Sequence, residues 1–92
     1  MDLQELRREI DRIDDELIRL LQKRMDVSAN IAKYKKQNNI PVYDPAREQQ
    51  KLQDLSDNLN ERYKTYIIEL YSLIFELSRT EQGKIMNMET DI

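Results

Sequence analysis

Apolar residues recur at Leu3, Leu6, Ile10, Ile13, Leu17 and Leu20, then at Val27, Ile31 and Tyr34, in alternating steps of three and four, and Arg24 stands on the same line. A heptad stripe of this kind runs along one side of an α-helix. Neither glycine nor proline interrupts it before Pro41. The pattern therefore predicts one helix over residues 2–37, roughly 50 Å long at ~1.5 Å per residue. The remainder of the chain is too short to wrap such a rod, so its surplus apolar stripe is expected to pack against a second copy of itself.

The segment Asn38-Asn39-Ile40-Pro41-Val42 breaks the pattern, combining turn formers with a proline that drives its predecessor out of the helical region. Asp44-Pro45 then reads as a helix start, with a capping carboxylate ahead of a proline at the first helical position. A short helix is predicted over residues 45–56, with Leu52 and Leu55 facing inward. After Asp57-Asn58-Leu59-Asn60, a third helix is predicted over residues 60–86, capped by Asn60, with Ile67, Leu70, Tyr71, Ile74 and Leu77 inside. Residues 87–92 carry no pattern and are expected to fray. The chain reads as one all-α domain spanning residues 1–92.

Composition narrows the chemistry. The 92 residues include one glycine, no cysteine and no histidine. A sheet protein would want several glycines for its turns, and a disulfide, a thiolate nucleophile, an imidazole base or a zinc site of the usual ligand types has no residues to build it. No cofactor and no metal are expected. The net charge of −3 argues against general nucleic-acid binding. Nothing resembles a signal peptide or a membrane span, so the expectation is a soluble, cytoplasmic protein.

Candidate chemistry lies where polar residues interrupt apolar stripes. Arg24 takes a seam position that its neighbours fill with Leu, Val and Ile, and a buried guanidinium needs an anion to meet it. That anion is either a carboxylate from another helix or a ligand. Lys35, eleven residues on, projects within about 20° of Arg24 and some 16 Å further along. Two cations on one line can grip the ends of a small anion. Arg7 flanks the stripe about 25 Å before Arg24, too far to share a ligand within one chain, but within reach if two long helices pair antiparallel. Taken alone, it also fits a solvated surface arginine. Arg47 stands in the first turn of the short helix, where the dipole mildly disfavours a cation, and Glu48 is beside it. On the third helix the inner stripe turns polar at Ser78 and Gln82, either as a site or as a solvated helix end.

Taken together, Leu6-Arg7 with Ile10, Ile13 and Asp14, Leu20-Leu21 with Arg24, Ile31-Ala32-Lys33 with Lys35, Pro41-Val42-Tyr43-Asp44 with Arg47-Glu48, and Ser78 with Gln82 resemble the all-helical class of chorismate mutase. The resemblance covers the chain from Leu3 to Gln82. It implies an intertwined homodimeric bundle whose long first helices span both halves, with two sites each built from both chains. It also implies conversion of chorismate to prephenate by a [3,3] rearrangement, with no nucleophile, metal or base. Carried over position by position, Arg7 from the partner chain, Arg24 and Arg47 would bind the two carboxylates of the substrate. Lys35 and Gln82 would be the catalytic donors to the ether oxygen. Glu48, with the backbone at Asp44, would hold the ring hydroxyl, and Ser78 would assist a carboxylate. Arg79 and Glu81, more charged than is typical of the family, are expected to point outward.

Two other readings fit parts of this pattern. An isochorismate pyruvate lyase of the same fold would use a similar cationic pocket, although the Asp44-Pro45-Ala46-Arg47-Glu48 stretch looks more like the mutase. A non-catalytic helical dimerisation module would account for the heptad stripe but gives no reason for Arg24, Ser78 and Gln82 on inner faces.

Overall fold

A computed structural model describes residues 1–88. It contains three α-helices, α1 (Leu3–Gln37), α2 (Pro45–Asn58) and α3 (Glu61–Met86), and no strand among the described residues. Each helix starts on a capping side chain. Asp2 accepts from the Glu5 backbone N–H at 2.8 Å, Asp44 from that of Arg47 at 3.1 Å, and Asn60 from that of Arg62 at 3.0 Å. These contacts satisfy N–H groups that a helix leaves open at its first turn. The boundaries match the sequence expectation within two residues at every end. Asn87 closes α3 with a backbone bond to Gly83 at 3.1 Å. Of the tail expected to fray, residues 89–92 lie outside the described residues.

The end of α1 positions the start of α2. Asn39 adopts φ 56°, a left-handed conformation that asparagine tolerates better than most side chains. Ile40 N–H then donates to the Lys35 carbonyl at 2.8 Å and Asn39 N–H to that of Lys36 at 3.5 Å, the paired bonds of a Schellman cap. This turn sends the connector back along α1, and Lys35 Nζ donates to the Val42 carbonyl at 3.0 Å.

α3 packs against both other helices, whereas α1 and α2 do not touch. The molecule measures 59 × 31 × 14 Å with a radius of gyration of 17.0 Å. A compact chain of this length would have one of about 12 Å, so this fold is long and flat. Its interior is small. Among the described residues only Ala32 and Phe75 are buried apolar residues, beside three buried polar ones, Ser28, Ser78 and Gln82.

The inner face of α3 differs from the sequence expectation, and that of α1 lies beside the stripe expected to meet a second copy. The buried residues of α1, Ser28 and Ala32, lie off the heptad stripe, which is solvent-exposed from Leu3 to Leu20 and again at Val27, Ile31 and Tyr34. On α3 the buried line runs through Phe75, Ser78 and Gln82. Ile67, Tyr71 and Ile74 are half-buried beside it, while Leu70 and Leu77 are about half exposed, at 51% and 47%. The cause is that α3 is apolar on two sides, one through Tyr71 and Phe75 and another through Tyr66, Leu70, Leu73 and Leu77. Periodicity identifies both stripes, but only packing selects which one meets α1. Leu52 and Leu55 on α2 are half-buried, on the side expected to face inward.

Candidate active site

A cavity of about 380 Å³ opens between the C-terminal half of α1, the connector, the first turns of α2 and the C-terminal half of α3. Seven of the eight candidate residues line it: Arg24 and Lys35 from α1, Asp44, Arg47 and Glu48 around the start of α2, and Ser78 and Gln82 from α3. Residues from Arg24 to Gln82 meet here because the Schellman turn reverses the chain after α1 and both α1 and α2 pack on α3. Arg7 is not among the lining residues. It sits on the exposed N-terminal half of α1.

Arg24 decides between the two anions considered for it. Among the described residues no carboxylate lies within ion-pair distance of its guanidinium. Instead Nη1 donates to Ser78 Oγ at 3.0 Å, and the guanidinium carbon stands 6.0 Å from the Tyr71 ring centre and 5.9 Å from that of Phe75. A buried structural ion pair is thereby excluded among the described residues of this chain. The cation is braced by a hydroxyl and two aromatic faces, leaving most of its five N–H donors uncommitted.

Lys35 and Gln82 are held as firmly. Lys35 spends one N–H on the Val42 carbonyl and keeps two. Gln82 is 9% exposed, and its Nε2 donates to the Ser28 carbonyl at 3.0 Å and the Ser28 hydroxyl at 2.9 Å. The carbonyl fixes which end of the amide points toward α1, since only the NH₂ end can meet it. Ser78 accepts from Arg24 while its own proton has only the Met25 sulfur, at 3.9 Å, a weak acceptor. Arg47 is exposed, its Nη1 3.4 Å from Gln50 Oε1. No buried side-chain nitrogen or oxygen lacks a partner among the described residues.

Sequence reasoning missed three polar residues of this wall. Ser28 is hidden on the polar side of the α1 stripe. Lys51 lines the cavity with its Nζ 5.6 Å from the Tyr71 ring centre. Arg79, expected to point outward, points in. Its Nη1 donates to Glu48 Oε2 at 2.6 Å, and its guanidinium lies 5.4 Å from the Tyr43 ring centre. Hydrogen bonding to Glu48 is the main influence that raises the Arg79 pKa above its usual value. The signal for Arg79 is present in the spacing: it is four residues after Phe75 and three before Gln82, hence on their face of α3. Glu81 does face outward, paired with Lys84 at 3.2 Å.

Five cationic side chains and two carboxylates thus line one cavity of a chain whose net charge is −3. Asp44 is engaged as a helix cap and Glu48 by Arg79. Arg24, Lys35, Arg47 and Lys51 have no carboxylate partner among the described residues. Such a cavity suits a small organic anion carrying more than one negative charge.

The family model for chorismate mutase type II matches residues 6–83. The chain belongs to the chorismate mutase type II family. Its similar proteins include the bifunctional chorismate mutase/prephenate dehydratase of Buchnera aphidicola subsp. Schizaphis graminum, 40% identical over 91 residues that cover 94% of this chain and 23% of that protein. The protein of the same name from Buchnera aphidicola subsp. Baizongia pistaciae is 44% identical over 81 residues, or 85% and 22% of the two chains. The chorismate mutase of Methanocaldococcus jannaschii is 39% identical over 46 residues, 50% of this chain and 46% of that one. The chain therefore spans about a quarter of the two bifunctional relatives and under half of the third. No solved structure matches it significantly. The matched stretch reaches from Leu6, before the exposed Arg7, to Gly83, just past Gln82, and so includes every candidate site residue.

Proposed function

We propose that this chain is a chorismate mutase, converting chorismate to prephenate. The observation that carries the reading is the set of cations on three converging segments without carboxylate partners among the described residues, with Arg24 braced by Ser78 and two rings. The substrate is a dicarboxylate that rearranges within itself, breaking a C–O bond and forming a C–C bond. Catalysis then consists of holding a compact, chair-like conformer and stabilising charge that grows on the ether oxygen. Neither task needs a nucleophile, which fits a chain without cysteine or histidine.

In this reading Arg24 and Arg47 bind the carboxylates through their planar forks, and Ser78 gives its weakly engaged proton to one of them. Lys35 donates to the ether oxygen with an N–H not taken by Val42. Gln82 donates beside it with the N–H that now meets the Ser28 hydroxyl, a partner that can yield because the Ser28 carbonyl still anchors the amide. Glu48 and the backbone at Asp44 receive the ring hydroxyl.

The reading includes an intertwined homodimer. Its support is the exposed stripe from Leu3 to Leu20 and the flat, elongated shape of the single chain. Antiparallel pairing of two α1 helices brings Arg7 of one chain toward Arg24 and Lys35 of the other, completing two shared sites. The deciding experiment is incubation of the purified chain with chorismate and, separately, isochorismate. Prephenate from the first is the expected product. Salicylate and pyruvate from the second, with chorismate untouched, would assign the lyase, and no turnover of either would leave a helical interaction module.

A further inference from the structure

Among the described residues, three of the four ion pairs link residues three apart in one helix, and only Arg79 with Glu48 joins two helices. Arg79 Nη1 reaches both carboxylate oxygens, at 2.5 and 2.6 Å, while the guanidinium lies over Tyr43. One side chain of α3 therefore holds the first turn of α2 and the connector ahead of it. Lys51 stands three residues after Glu48 on the same helix and is an ordinary partner for it, yet its ammonium lies over Tyr71 instead. Glu48 is committed to Arg79.

Both residues line the cavity, and the Glu48 side chain is 22% exposed. A carboxylate has about four lone-pair sites. Arg79 engages one side of each oxygen, which leaves acceptor capacity for a ligand hydroxyl. A free glutamate on an exposed first turn would sample several rotamers and would have to be ordered when the ligand binds. A guanidinium that stays charged and is itself stacked on a ring removes that cost beforehand.

We propose that Arg79 is a positioning residue of this site, fixing the Glu48 carboxylate to accept the hydroxyl group of the ligand. The inference rests on the proposed function, in which Glu48 receives the ring hydroxyl of chorismate. Arg79 touches no reacting atom. Its effect falls on recognition of the hydroxyl and not on the ether oxygen.

The test compares wild type, Arg79→Met, Arg79→Lys, Glu48→Gln and the Arg79→Met/Glu48→Gln pair. KM and kcat for chorismate are measured for each, with the inhibition constant of an analogue carrying hydrogen in place of the ring hydroxyl. Arg79→Met is expected to raise KM about tenfold, the weight of one charge-assisted hydrogen bond, with kcat within about threefold of wild type. Arg79→Lys should recover part of that loss. The analogue should bind wild type and Arg79→Met within about twofold of each other, and Arg79→Met should add less than about twofold in the Glu48→Gln background. Equal losses for chorismate and the analogue, or an undiminished loss without Glu48, would make Arg79 a structural support of α2 and overturn the inference. So would an unchanged KM in Arg79→Met. If circular dichroism finds Arg79→Met unfolded, Arg79→Lys and Arg79→Gln carry the same comparison. A wild type inactive on chorismate overturns the proposed function and the inference with it, whereas an active wild type with unaffected variants overturns the inference alone.

Discussion

The two halves of α1 share one helix and one heptad pattern but have opposite surroundings. From Leu3 to Leu20 the stripe is exposed along its length, with Ile10 and Leu17 at 57% and 56%. From Arg24 to Lys35 the same helix packs on α3, buries Ser28 and Ala32, and supplies a wall of the cavity. The wall from the second half sets Arg24, Ser28 and Lys35 among Val27 and Ile31, whereas the exposed stripe of the first half is apolar throughout. That contrast teaches that a heptad stripe does not by itself locate a core. From Leu3 to Leu20 the stripe is left on the surface, where a partner can cover it, whereas Arg24, Val27 and Ile31 of the same stripe line the cavity beside the buried Ser28.

The sharpest way to separate the halves is to damage each in turn. In the C-terminal half and its α3 counterpart, Lys35→Ala and Gln82→Ala should each lower kcat for chorismate by at least ~10²-fold, as loss of a transition-state donor does. The helical signal and apparent mass should stay those of wild type. Near-wild-type rates in both variants would remove the mechanism, though not the fold.

In the N-terminal half, a charge in the stripe tests pairing. Ile13→Glu or Leu17→Glu should shift the sedimentation mass from two chains to one, because an unpaired charge in an apolar seam costs a few kcal/mol. In the proposed shared-site dimer each site would then lose Arg7 of the other chain, so activity should fall by about tenfold or more. A wild type that sediments as a single chain while remaining fully active would sever the two halves functionally.

Complementation reads the link between them. Arg7→Ala and Arg24→Ala chains, each nearly inactive alone, should regain about a quarter of wild-type activity on mixing and refolding, because half of the dimers then hold one intact site. No recovery would place Arg7 and Arg24 in sites that do not share chains. The smallest effect concerns pH. Gln82 has no proton to lose or gain in the neutral range, so turnover should change by less than about threefold between mildly acidic and neutral conditions, where a glutamate in that role would give a steep decline. Gln82→Glu supplies the contrasting profile.

Much of the site is legible in the order of residues alone. Arg24, Ser78 and Gln82 stand out because each breaks an apolar stripe, and Asp44 because a carboxylate before Pro45 marks a helix start. Arg79 is misassigned by sequence reasoning for a physical reason. Its face of α3 is set by its spacing from Phe75 and Gln82, but which apolar stripe of α3 turns inward depends on how α1 and α2 close around it. Ser28 and Lys51 leave no signal, since a serine and a lysine among polar neighbours look like surface until another helix covers them.

The order of residues sets the three helices, the caps at Asp44 and Asn60 and the break between α1 and α2, because periodicity, proline placement and capping side chains act over a few residues. It also determined which residue types were available for chemistry. Only the tertiary structure decided that Arg24 is met by a serine and two rings and not by a carboxylate, that the Gln82 amide is anchored on Ser28, and that Arg79 closes on Glu48. These pairings join residues 31 to 54 positions apart. Such partners are chosen by the packing of whole helices, for which local pattern carries no term.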